Sequence, residues 1–85
     1  MKTSEILKSN LSSSAKLVCI YLNEESINGE IQASFAKIGK DLGISKGTII
    51  KSLKELQEEG VVEAKKITDS NIGTYANKYI LKGIK

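Results

Sequence analysis

The chain has 85 residues, 40% of them hydrophobic and 27% charged, with a formal net charge of +3. That length fits one domain, 1–85, burying only ~60% of its unfolded surface. One Cys (Cys19), no His and no Arg exclude an intramolecular disulfide, a plausible zinc site and most of the usual catalytic groups, so neither enzyme activity nor a metal or cofactor is expected.

The longest apolar run, residues 17–22, falls far short of the ~20 residues that span a bilayer. Residues 1–5 do not read as a secretion signal. The expected location is the cytoplasm, with no membrane partner. Residues 1–10 read as an N-terminal extension, in which residues 4–9 leave room for one short extra turn.

Residues 12–23 read as the first helix, capped by Ser12 or Ser13. Leu11, Ala15, Val18 and Leu22 recur at helical spacing, with Leu17 and Tyr21 beside them. Cys19 reads as a small packed residue. Asn28-Gly29 is a turn signal, and residues 30–33 alternate as a short strand. Ser34 opens the second helix, 34–42, whose apolar set is Phe35, Ile38 and Leu42; Gly43 ends it.

Ser45 opens the third helix, 45–59, with Ile49, Leu53 and Leu56 as its buried stripe and Gly60 as its stop. Residues 61–81 read as a β-hairpin with a long, turn-rich tip. Only Gly43, Ile44 and Ser45 separate the second and third helices. So short a turn makes two helices cross steeply around a shared core, and a hairpin directly after them is a wing.

The segment from Ile38 to Val62 resembles the bacterial winged helix-turn-helix family. Leu42, Gly43, Ile44, Ser45, Thr48, Ile49, Leu53, Leu56, Gly60, Val61 and Val62 fit its pattern. Gly39 departs from it, standing where the family usually has Ala. Both are small, so the expected consequence is a preserved helix crossing at a helix cost of ~1 kcal/mol. The stretch from Leu11 to Leu22 is similar to the first helix of winged helices in plasmid replication initiators and small mobile-element regulators.

The resemblance implies an α+β winged helix-turn-helix fold. It also implies a non-catalytic double-stranded DNA-binding protein: a transcriptional regulator, or a replication or conjugative-transfer accessory factor of a mobile element. The other reading is a winged-helix adaptor that binds protein and not DNA. A lysine cluster at 46, 51, 65 and 66 separates the two, since an adaptor has no need of it. The ending, residues 81–85, suits a domain edge, so the chain reads either as a small regulator or as the first domain of a larger initiator.

Charge location supports the DNA reading. Residues 34–54 carry a net +4, residues 55–60 a net −3 and residues 61–82 a net +2. Phosphates would attract the first half of the third helix and repel its end, which suits a helix entering the major groove by its N-terminus. The candidate contacts there are Ser45, Lys46, Gly47, Thr48, Ile50, Lys51 and Lys54. Ile50 either packs or touches a thymine methyl.

Ser34 and Lys37 are candidate phosphate contacts. In the wing the candidates are Lys65, Lys66, Thr68, Asn71, Thr74 and Lys78, and the tip either enters a minor groove or is a solvated loop. Tyr79 reads as part of the strand closing the core. Without Arg the chain cannot make the bidentate guanine contact, so shape, methyl groups and Asn would carry specificity.

A single small module buries only ~600–1,000 Å² on DNA. Useful affinity therefore calls for a homodimer or several copies, with the first helix and the N-terminal residues Ile6, Leu7 and Leu11 as the spare apolar surface. A core this small leaves little space for a small-molecule effector.

Overall fold

A computed structural model describes the backbone of residues 1–69 and 74–84, and the side chains of residues 1–65 and 78–84. The elements in chain order are α1 (Thr3–Leu7), α2 (Ser13–Glu25), β1 (Glu30–Ala33), α3 (Phe35–Leu42), α4 (Lys46–Glu58), β2 (Val62–Asp69) and β3 (Thr74–Leu81).

Three serines start the three longer helices. Ser12 Oγ accepts from the Ala15 N–H at 3.2 Å, Ser34 Oγ from Lys37 at 3.1 Å and Ser45 Oγ from Thr48 at 3.4 Å. Each satisfies an N–H that the first helical turn cannot. α2 runs two residues past the expected Asn23. Neither Glu24 nor Glu25 breaks a helix, and the chain turns extended only at Ser26, whose N–H and hydroxyl both donate to the Asn23 carbonyl.

α3 and α4 end alike. Gly43 (φ +67°) and Gly60 (φ +72°) take the left-handed conformation that glycine enters without strain. The following N–H then bonds a carbonyl five residues back: Ile44 to Gly39 at 3.1 Å, and Val61 to Leu56 at 2.9 Å. The first of these arrangements turns the chain from α3 into α4.

The sheet is antiparallel with order β1-β3-β2. A tight turn with Asn28 (φ +55°) and Gly29 (φ +77°) at its centre feeds β1. β1 pairs with β3 from Glu30↔Ile80 to Ala33↔Asn77, and β2 with β3 from Val62↔Leu81 to Asp69↔Thr74. At the sheet's base, the Leu81 N–H donates to the Gly29 carbonyl at 2.9 Å and the Lys82 N–H to Val61 at 2.7 Å.

The core lies between helices and sheet. Val18, Cys19 and Leu22 of α2 meet Ile38 of α3, Ile49, Leu53 and Leu56 of α4, and Ala33, Val62 and Tyr79 of the sheet. Burial pushes the Cys19 thiol up to about 11, so it stays protonated and unreactive at neutral pH.

The N-terminus differs from expectation. The short turn for which residues 4–9 left room is there as α1, but residues 1–10 do not stand apart as an extension: Ile6 is fully buried, as is most of Leu11. α1 is tied to α2 by Lys16 Nζ on the Leu7 carbonyl and Asn23 Nδ2 on the Met1 carbonyl, both at 2.7 Å. Ile6 and Leu11 are therefore core, not spare surface for self-association. Of the three residues proposed for that role only Leu7 is exposed, at 54%. Hydrophobic spacing over five residues could not distinguish the two states, because α1 is held by contacts distant in sequence.

The architecture is an α+β winged helix-turn-helix, with the hairpin β2–β3 as the wing. Among the described residues no helix is long and apolar enough to cross a membrane.

Candidate nucleic-acid interface

α4 divides cleanly. Ile49, Ser52, Leu53 and Leu56 are buried, while Lys46, Gly47, Ile50, Lys51 and Lys54 are exposed. The exposed set recurs at three- and four-residue steps and so forms one outward face. At its head, Ser45 Oγ donates to Thr48 Oγ1 at 3.0 Å while accepting the Thr48 N–H. Both hydroxyls are thus held at the positive end of the helix, where an anion is favoured.

Ile50, given two roles by the sequence, is 41% exposed. Packing does not consume it. It rims a shallow groove shared with Phe35, Leu53, Ala64 and Tyr79.

The lysines fall into two groups. Lys37 pairs with Asp41 at 3.2 Å, Lys78 with Glu30 at 3.4 Å and Lys82 with Glu63 at 3.1 Å. Lys46, Lys51 and Lys54 have no carboxylate of the described residues within ion-pairing distance. Toward the described residues, the α4 face is therefore a row of unengaged cations. Two of the other proposed contacts, Lys37 and Lys78, already have acidic neighbours, although all these pairs are solvent-exposed and weak.

Two acids near this face are turned aside. Glu55 Oε2 accepts the backbone N–H of Ser12 at 2.7 Å, which places its charge at the N-terminus of α2. Asp41 Oδ2 accepts the Tyr21 hydroxyl at 2.6 Å and the Lys37 ammonium. The Tyr21 hydrogen bond, followed by Lys37, holds the Asp41 carboxyl below its ordinary value. Desolvation and then Asp41 itself push the Tyr21 phenol up to about 12.

Sequence reasoning missed Tyr21 and the anchoring role of Glu55. The Lys37–Asp41 spacing was visible, but Tyr21 lies 20 residues from Asp41 and Ser12 lies 43 from Glu55, with no local signal joining them.

In the wing, Lys65 is exposed and stands opposite Lys78 in the register. Glu30 draws Lys78 across the sheet, which eases the repulsion between two like charges directly opposite one another. The backbones of Lys66, Thr68 and Thr74 lie in the hairpin, and their side chains are outside the described residues, as is the whole of Asn71. Ser34 is half-buried and engaged as the α3 cap.

Comparison with known proteins agrees with this architecture. An HTH-type transcriptional regulator of Methanocaldococcus jannaschii is 44% identical over 36 residues, which make up 42% of this chain and 24% of that protein. The match thus spans about a quarter of the relative's length. A solved structure described as a possible transcriptional regulator from Methanosarcina mazei Go1 superposes with a TM-score of 0.70 at 19% identity. It covers 98% of this chain and 68% of that one, and at such identity the likeness is one of fold. Residues 9–62, more than half of the chain, match the family model described as a helix-turn-helix domain, and the chain belongs to that family.

Proposed function

We propose that this chain is a non-catalytic double-stranded DNA-binding module serving transcriptional regulation. The α4 face enters the major groove by its N-terminal half. Lys46, Gly47, Thr48 and Lys51 lie against base edges, while Ser45 and Lys54 take phosphates. Lys37 and Ser34 at the head of α3, and Lys65, Lys66, Thr68, Asn71, Thr74 and Lys78 of the wing, contact the flanking backbone. Among the processes open to such a module, the descriptions of both similar archaeal proteins favour transcription over replication or conjugative transfer.

One observation carries the reading. Three exposed lysines with no acidic partner among the described residues share one helix face, while Glu55 of that helix is engaged at Ser12. A surface built for a neutral protein partner has no reason to leave like charges so close and uncompensated. Phosphates supply the missing counter-charge, and each contact releases condensed cations, making affinity fall steeply with salt.

The test is a fluorescence-anisotropy titration of mixed-sequence duplex at two salt concentrations, repeated with Lys46, Lys51, Lys65 and Lys66 changed to Ala. Salt-sensitive binding that the substitutions abolish supports the reading. Absence of binding at low salt overturns it and leaves the protein-adaptor role to be tested by partner capture.

A further inference from the structure

We infer that Ile50 reads the C5-methyl group of thymine, so that the α4 face selects A·T pairs at the centre of its contact; this rests on the DNA-binding reading above. A lone exposed isoleucine is ordinary on a protein surface. Its position is what points to a ligand. Ile50 lies on the outward face of α4, one turn after Lys46 and Gly47, next to Lys51 and one turn before Lys54.

Any ligand drawn to those three lysines meets Ile50 at the middle of its footprint. Among the large hydrophobic residues of α4, Ile50 alone is exposed; Leu7, Leu17 and Ile27, the other exposed ones among the described residues, lie on α1, α2 and the turn before β1. A protein-docking face would need a broad exposed apolar patch, whereas Ile50 only rims a shallow groove in which Leu53 and Tyr79 are themselves buried.

The occupant follows from charge and groove chemistry together. The lysines call for a polyanion. Of the groups that base pairs show in the major groove, the thymine methyl is the apolar one; the rest are hydrogen-bond donors and acceptors. Cytosine in the same place presents only a C5–H where thymine carries its methyl, and an amino group where thymine has O4, so the isoleucine loses its apolar contact.

Gly47, three residues earlier, aids the approach. A Cβ added there would meet nothing within 4 Å, so the surface beside Ile50 is open and the backbone can come close to a base edge. The chain also has no Arg to compensate by gripping guanine.

The test uses the intact chain and a duplex enriched by it from a random-sequence pool. Affinity is measured for that duplex and for the same duplex with every thymine replaced by deoxyuridine, which removes the methyl and leaves every hydrogen-bonding group. For the unaltered protein the uridine duplex should bind about three- to fivefold more weakly per contacted methyl. Ile50→Ala should bind both duplexes equally within about twofold, and Ile50→Val should recover part of the difference, as expected for packing against a methyl.

Equal binding of the two duplexes by the unaltered protein overturns the inference. So does a thymine preference that survives in Ile50→Ala, since another residue or the duplex shape would then be its source. Failure of the protein to enrich or bind any duplex is a distinct result, and overturns the DNA-binding reading together with this one. Because Ile50 is outside the core, thermal unfolding of Ile50→Ala should match the parent, which separates lost contact from lost fold.

Discussion

The carbonyl oxygen of Ile44 lies 2.8 Å from where a Cβ on Gly39 would stand. Real Cβ atoms do not approach backbone oxygen so closely. The turn between α3 and α4 folds back tightly enough for the Ile44 N–H to bond the Gly39 carbonyl, and that return brings the Ile44 carbonyl over Gly39 as well. Glycine here sets how closely the two helices can be joined. The crossing is kept with glycine, as expected, and an alanine here would meet backbone, not a flexible side-chain end.

Gly39→Ala should therefore destabilise the fold. Alanine would gain ~1 kcal/mol in helix propensity. Displacing the turn should cost more, since forcing an extra carbon into a packed site typically costs 1–3 kcal/mol. A net loss of up to about 2 kcal/mol is expected by urea unfolding. Equal or greater stability would show that the turn yields freely. The displacement would also tilt α4, so DNA affinity should fall with stability.

Gly47→Ala should do the opposite to stability. Nothing lies within 4 Å of a Cβ at Gly47, and the residue occupies the first turn of α4. A gain of about 0.5–1 kcal/mol is expected from the reduced freedom of the unfolded chain. On the proposed interface the same methyl stands between backbone and base edge, so affinity for an enriched duplex should drop. A more stable variant that binds less tightly would separate the two roles of this glycine; unchanged affinity would remove Gly47 from the interface.

The contrast between these glycines shows how far the sequence could be read. Both stand in helices, and composition treats them alike. The serine caps and the glycine stops at 43 and 60 were legible because they work through bonds spanning three to five residues. Crowding at Gly39 depends on the path of the chain after the turn, which no local pattern specifies.

The lysines show the same boundary. Those at 46, 51 and 54 fall on one face by helical period alone. The engagement of Lys78 by Glu30 and Lys82 by Glu63 follows from sheet register and the close approach of distant segments. Ile6 escaped as core for that reason too, since a five-residue helix is stabilised by what it docks against.

Glu55 offers a test of charge without loss of fold. Its Oε2 accepts the Ser12 N–H at 2.7 Å. Glu55→Gln keeps an acceptor there and should change stability little, whereas Glu55→Ala leaves the N–H to water and should cost about 0.5–1.5 kcal/mol. Removing this one negative charge should raise affinity for mixed duplex at low salt in both variants, with the advantage fading as salt increases. Thermal unfolding read beside anisotropy distinguishes the effects. A stability loss in Glu55→Gln equal to that in Glu55→Ala would mean that charge, not the hydrogen bond, holds α2 to α4.

The Tyr21–Asp41 bond makes stability depend on pH at both extremes. Asp41 is held below its ordinary value in the fold, chiefly by the Tyr21 hydroxyl and then by Lys37. A depressed carboxyl pKa contributes stability that is present above the unfolded value near 3.8 and is lost as pH falls through the folded one.

Tyr21 shifts the other way, from 10.0 to about 12, through desolvation first and the bond to Asp41 second. Its contribution is complete below pH 10, where both states keep the proton. It declines between 10 and about 12, because the unfolded chain ionises first. Tyr21→Phe removes the phenol from both limbs. The stability difference between parent and Tyr21→Phe should be constant from pH 6 to 9, then narrow above pH 10 and below the unfolded Asp41 value. Urea unfolding of the two proteins in parallel cancels the titration of the remaining lysines and carboxylates. A difference that stays constant through both limbs would mean that the hydroxyl does not couple to Asp41 in solution, and that packing alone joins α2 to α3.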